Sequence, residues 1–177
     1  MTFPKTLIIG LGGLGSDIVT NVYKRFNSHA SHQDDKEKVK FLTLDTDSNE
    51  IAERRQIMNP DNVIQTSATT DMVAGQYLDE IKDISTAESW FPHEIKELKK
   101  MSINDGAGQI RVVSRLAFAH AINERKLDRL KNVLNELLSL NTGDGNIIEV
   151  HIVSSLAGGT GAGSFIQTAY FIREEMI

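Results

Sequence analysis

Eight of the 13 glycines stand in two runs, Gly10-Leu11-Gly12-Gly13-Leu14-Gly15 and Gly158-Gly159-Thr160-Gly161-Ala162-Gly163-Ser164. Each run follows a short apolar segment and precedes apolar residues at helical spacing. Thr6 to Ile9 leads into the first, and Ile18, Val19, Val22, Tyr23 and Phe26 come after it. Ile147 to Ser154 leads into the second, and a helix is predicted from Phe165 to Met176. A strand that ends in glycine and turns directly into a helix is the building unit of parallel sheets. Val39 to Leu44 supplies another apolar, β-friendly segment, and an Ala- and Leu-rich helical stretch runs from about Arg111 to Leu140 with a break near Asn123. The predicted fold class is therefore α/β, a Rossmann-like three-layer parallel sheet with helical crossovers.

The stretches between these units are less regular. Asn27 to Lys38 is polar and charged and reads as a solvated connection. From Glu50 to Met101 the pattern is weak, with a short strand at Val63-Ile64, a helix-like stretch over Asp71 to Asp83 and a short helix after Pro92 that ends near Lys100. Asn104-Asp105-Gly106-Ala107-Gly108 and Asn141-Thr142-Gly143-Asp144-Gly145 are turn signals.

Composition excludes several classes of function. Lys plus Arg number 19 against 24 Asp plus Glu, a net charge of −5, and the basic pairs Arg54-Arg55 and Lys99-Lys100 form no stripe for a nucleic-acid backbone. No stretch approaches the ~20 apolar residues of a membrane span. The absence of cysteine removes disulfides, thiolate metal sites and thiol nucleophiles, and a cytoplasmic address is expected. His29 and His32 share helical ligand spacing but have no third ligand near them in sequence, so a solvated loop is expected there rather than zinc. His120 sits in an apolar helix and reads as a core or interface residue, and Trp90-Phe91 as an exposed pair.

Gly10-x-Gly12-x-x-Gly15 fits the dinucleotide fingerprint, in which glycines let the backbone approach a pyrophosphate at a helix N-terminus. The alternative is a tight turn that needs glycine only for its dihedral angles. The acidic residue that should hold a ribose is poorly spaced, since Asp45 comes 30 residues after Gly15. Gly158 to Ser164 adds backbone N–H groups, a hydroxyl and a helix N-terminus suited to an anion. Neither glycine run contains the Gly-Lys-Ser/Thr of a Walker loop. Asp45-Thr46-Asp47, at the end of the second strand, brings acids to the same side of the sheet, where Asp47 also reads as a helix N-cap.

Together these motifs resemble the tubulin and FtsZ family of GTPases. Ala157 to Ser164 is similar to the family's GGGTG[ST]G signature, departing at its first glycine. Gly10 to Val19 resembles the first nucleotide loop, Asp45-Thr46-Asp47 the loop that reads N-T-D in FtsZ, and Gly106-Ala107-Gly108 the γ-phosphate loop, with Val113-Ser114-Arg115 similar to the V-G-R after it. The resemblance implies a tubulin-type nucleotide-binding domain, with residues 1–177 as its N-terminal, phosphate-binding part and the C-terminal end incomplete. It implies GTP and Mg²⁺ as cofactors, with phosphate contacts from Gly12, Gly13, Leu14, Gly15 and Asp17, from Gly106, Ala107 and Gly108, and from Gly158, Gly159, Thr160 and Gly161. Asp45 and Asp47 are the residues implied for the metal.

The family's base-reading loops and catalytic acid follow the signature, and none fits between Ser164 and Ile177. The resemblance thus implies self-association into filaments or oligomers, GTP hydrolysis only in the complete assembled protein, and an inactive chain on its own. Two other readings stand beside it: an ATP-dependent adenylating enzyme of the ubiquitin-like-activating class, whose ATP loop resembles Gly10 to Ser16, and a nucleotide-binding scaffold without hydrolysis.

Overall fold

In the computed structural model, residues 4–29, 33–81, 90–92, 94–104, 106–141 and 147–176 are described. Strand β1 (Thr6–Leu11) passes straight into helix α1 (Gly12–His29), followed by α2 (Gln33–Lys38), β2 (Val39–Asp45) and α3 (Ser48–Arg55). A 3₁₀ turn (Pro60–Asn62) opens β3 (Val63–Gln65), and α4 (Ala74–Glu80) and α5 (Lys96–Lys99) lie beyond it. Helices α6 (Arg111–Asn123) and α7 (Asp128–Ser139), strand β4 (Glu149–Ser154) and helix α8 (Thr160–Glu175) complete the order.

The four strands form one sheet in the order β3-β2-β1-β4, and every pairing is parallel. β1 is central, with Thr6 to Leu11 opposite Val39 to Leu44 on one side and opposite Glu149 to Ser154 on the other. Helices cover both faces, which is why β1 reads as a continuous apolar run instead of an alternating one. Leu7, Ile9 and Leu11 join Leu42, Leu44 and Ile64 against α7, α8 and Phe118 of α6. Ile8 looks the other way, toward Val19 of α1, Phe41 and Ile51 of α3. In α7, Leu130, Val133, Leu134 and Leu137 recur at three- and four-residue spacing and supply one buried stripe. A further cluster around Tyr77, Phe91, Ile103 and Leu116 packs α4 and the 101–110 segment onto the outer side of α6.

Several expectations are corrected. Most of Asn27 to Lys38 is helical, because α1 extends to His29 and α2 begins at Gln33. His29 is exposed on α1 and bonds to the carbonyl of Arg25 at 2.9 Å, whereas His32 lies outside the described residues. The Asp71–Asp83 helix is confined to Ala74–Glu80 within the described residues. Phe91 is buried, and Trp90 is half-buried under the guanidinium of Arg115, 4.3 Å from its ring centre. α8 starts at Thr160, five residues before the predicted Phe165, so its first turn is made from the glycine run itself. Asp105 and most of the Asn141–Gly145 turn lie outside the described residues. Among the described strands β4 forms an edge of the sheet, and it is at least partly exposed along its whole length.

Candidate functional site

In an open parallel sheet, ligands settle outside the carboxyl ends of the strands where the strand order reverses. Here that point lies between β1 and β4, and both glycine runs fall on it. α1 begins at Gly12 and α8 at Thr160, so two long helices direct their unpaired first-turn N–H groups and the positive ends of their dipoles at one crevice.

The two turns touch. A Cβ on Gly12 would lie 2.9 Å from the amide nitrogen of Gly161, and one on Gly161 would lie 2.9 Å from the carbonyl oxygen of Leu11. Gly12 also has φ +69°, which a side chain would strain. The Gly106–Gly108 turn closes from the third side: a Cβ on Gly159 would come 2.8 Å from Cα of Gln109, which itself holds φ +61°. Gly158 differs from these, since a Cβ there would meet nothing within 4 Å. It borders open space.

Hydroxyl groups fasten the turns to one another. Thr46, just past β2, and Thr160, at the start of α8, pair through their hydroxyls at 2.8 Å, both buried. The carbonyl of Thr160 accepts from Ser114 of α6 at 3.0 Å and from Ser164 at 2.6 Å. Ser48 donates its backbone N–H to Asn104 at 3.1 Å, tying α3 to the 101–110 segment.

The acids behave differently from each other. Asp45 is 3% exposed, accepts from the amides of Thr46 at 2.7 Å and Asp47 at 3.3 Å, and pairs with Arg54 at 3.3 Å. Burial pushes its carboxyl up to about 6, against the pull of the Asp47 amide and Arg54. Asp47 caps α3, its Oδ1 accepting from Asn49 at 2.9 Å and Glu50 at 3.3 Å. Its Oδ2 has no hydrogen bond from the described residues and lies beside Gly106, 3.8 Å from where a Cβ would stand. The metal expectation at Asp45 thus meets a carboxyl with both oxygens engaged, whereas Asp47 keeps one oxygen for a ligand. Among the described residues no group of three or more His, Cys, Asp or Glu could hold a metal by itself. Mg²⁺ still fits, since it takes one or two carboxylates and keeps several waters.

Arg54 was visible in the sequence only as half of a basic pair. Buried under the first turn, it donates to the carbonyl of Gly13 at 3.2 Å and to Asp17 at 3.0 Å, and it meets Glu50 and Asp45 as well. Burial opposes its charge, but these carboxylates more than offset that and hold it above the ordinary arginine range. The spacing Glu50 to Arg54, one helical turn, was the available signal.

The other candidates occupy distinct positions. Leu14 is 58% exposed at the mouth of the crevice. Asp17 lies on the exposed side of α1, held by Arg54. Gly15 is buried, its Cβ position 2.2 Å from the carbonyl of Val153, and Ala107 is buried in the cluster around Tyr77. His120 is buried, 2.9 Å from Glu80, and His151 is exposed on β4.

The sequence family described as "Tubulin like" matches residues 7–177. Among solved structures, the GDP-bound monomer of CetZ1 from Haloferax volcanii is similar in fold, with a TM-score of 0.51 at 13% identity over 96% of this chain. The chain spans 38% of the length of that protein. No curated protein matches it in sequence. No helix among the described residues is long and apolar enough to cross a membrane.

Proposed function

The chain belongs to the tubulin-like family, and from that premise we propose that the crevice between β1 and β4 holds the phosphates of GTP. The observation that carries this reading is the meeting of two glycine turns, each opening a helix, at the switch point of the sheet. The GDP bound to CetZ1, a protein of similar fold, supports guanine as the base.

The chain's own groups divide the work. N–H groups at Gly12 and Gly13 and at Gly159 to Gly161 donate to phosphate oxygens, and the Gly106–Gly108 turn closes over the terminal phosphate. The Thr46–Thr160 pair and Arg54 keep the turns at fixed spacing, so few donors need to be reoriented when an anion arrives. Mg²⁺, held near Asp47 through water, would offset phosphate charge. Hydrolysis also needs a group that positions or deprotonates water. Asp45 is paired with Arg54, and the resemblance to tubulin and FtsZ implies that a neighbouring copy supplies this group, so we assign hydrolysis to the self-assembled protein.

The test is competition titration of the complete protein in Mg²⁺. GTP is expected to bind more tightly than ATP. Equal or reversed affinity would favour the adenylating-enzyme alternative.

A further inference from the structure

A second concave site lies beyond the other edge of the sheet, two strands or about 10 Å from β1. It is a cleft of about 320 Å³, lined by Arg55, Asp61, Gln65, Thr69, Lys126 and Arg129 among others. That volume is at the lower end of small-molecule sites. Its cations are incompletely answered. Arg55 donates to the carbonyl of Val63 at 3.2 Å, and Lys126 to the carbonyl of Ser67 at 2.5 Å, neither of them an anion. Arg129 pairs with Glu136 at 2.7 Å and bonds Asn62 at 3.0 Å. Asp61, the acid of the lining, makes no ion pair with a described residue.

We propose that this cleft is an anion site for a small phosphate- or carboxylate-bearing ligand, held by Lys126 and Arg55 with Arg129 beside them. An ammonium has three donors and a guanidinium five, so both residues keep N–H groups for oxyanion oxygens after their carbonyl contacts. Burial lowers the affinity of Lys126 for its proton, and Glu124 counters this only in part. A bound oxyanion would supply the missing negative charge. The site is also joined to the crevice through one segment: the hydroxyl of Ser67 donates to the carbonyl of Thr46 at 2.7 Å, and Thr46 pairs with Thr160.

Pyridoxal 5′-phosphate tests the proposal on the whole chain without nucleotide, so the outcome is independent of the guanine reading. The Lys126 amine adds to its aldehyde with loss of water, and borohydride delivers hydride to the imine carbon, leaving a stable secondary amine that peptide mapping locates. Lys126 should be labelled ahead of the exposed Lys24 and Lys96. Pyridoxal, which lacks the phosphate and also masks its aldehyde as an internal hemiacetal, should label more slowly everywhere and lose the preference for Lys126 over Lys24. Inorganic phosphate or citrate should protect it along a saturating curve; protection by one alone identifies the oxyanion class. Arg55→Gln, a change at an exposed residue, should move the curve to about tenfold higher concentration. Labelling of Lys126 no faster than of Lys24, the same preference for Lys126 with pyridoxal, or no protection by either anion would overturn the assignment.

Discussion

Individual residues separate what the crevice needs for folding from what it offers a ligand. A Cβ at Gly15 would drive into the carbonyl of Val153, so Gly15→Ala should cost about 3 kcal/mol or more in denaturant unfolding. Gly158 has open space at that position, so Gly158→Val should leave the unfolding midpoint unchanged and weaken guanine-nucleotide binding about tenfold or more. Unchanged affinity would place the phosphates elsewhere. Val at Gly159 or Gly161 would confuse the two effects, since both positions already touch backbone. Asp45 makes a pH-dependent prediction. Its carboxyl is raised from 3.8 to about 6, so between those values the folded chain keeps a proton that the unfolded chain releases. Stability therefore falls across that window as pH rises, by about 3 kcal/mol once Asp45 is ionised. Comparing urea unfolding of the wild type and Asp45→Asn from about pH 4 to about pH 7 isolates this contribution; parallel profiles would show that Asp45 ionises freely. The glycines and Asp47 were legible because their demands are local: a turn, a helix start, a cap. Arg54 was not, because its role depends on Gly13 and Asp17, 41 and 37 residues away in the chain.

At the scale of elements, the strands with helices on both faces were the easiest to read. β1 and β2 carry apolar runs, Leu7 to Ile9 and Phe41-Leu42, between helices on both faces, although Thr43 and Asp45 are buried beside them, and their predicted bounds fall within two residues of those observed. β3 was marked by two apolar residues only, and α4 and α5 are too short to show a clear helical period. The polar stretch after Phe26 misleads for the opposite reason: Asn27, Ser28 and His29 of α1 and Glu37 of α2 are exposed, so a helical stretch without an apolar stripe reads as loop. The break in the Arg111–Leu140 stretch comes just after Asn123, where the chain turns through Arg125 at φ +56°. The amide of Lys126 returns to the carbonyl of Ala121 at 2.9 Å, closing the end of α6. A non-glycine residue in that left-handed conformation costs roughly 1 kcal/mol. Arg125→Gly should therefore raise stability by up to about that amount, read as a higher denaturant midpoint with an unchanged slope. A lower midpoint would mean that the Arg125 side chain stabilises the turn more than its backbone strains it.

For the whole molecule, the prediction concerns catalysis. A chain of residues 1–177 should release no measurable phosphate from GTP at any concentration, since its acids near the crevice are a helix cap and a partner of Arg54. Turnover that survives purification and disappears in Asp47→Ala would place the catalytic group within this chain. Such an assay has to be read beside the edge formed by β4. Its inner side is fully paired with β1, and no described strand pairs with the outer side, which leaves peptide groups ready to accept another strand. Protein prepared as this segment alone therefore carries a built-in adhesive strip. Light scattering that grows with concentration would first report strands of different copies zipping together, so only assembly that requires guanine nucleotide and persists after β4 is blocked, for example by Val150→Pro at an N–H that points away from β1, could count as polymerisation.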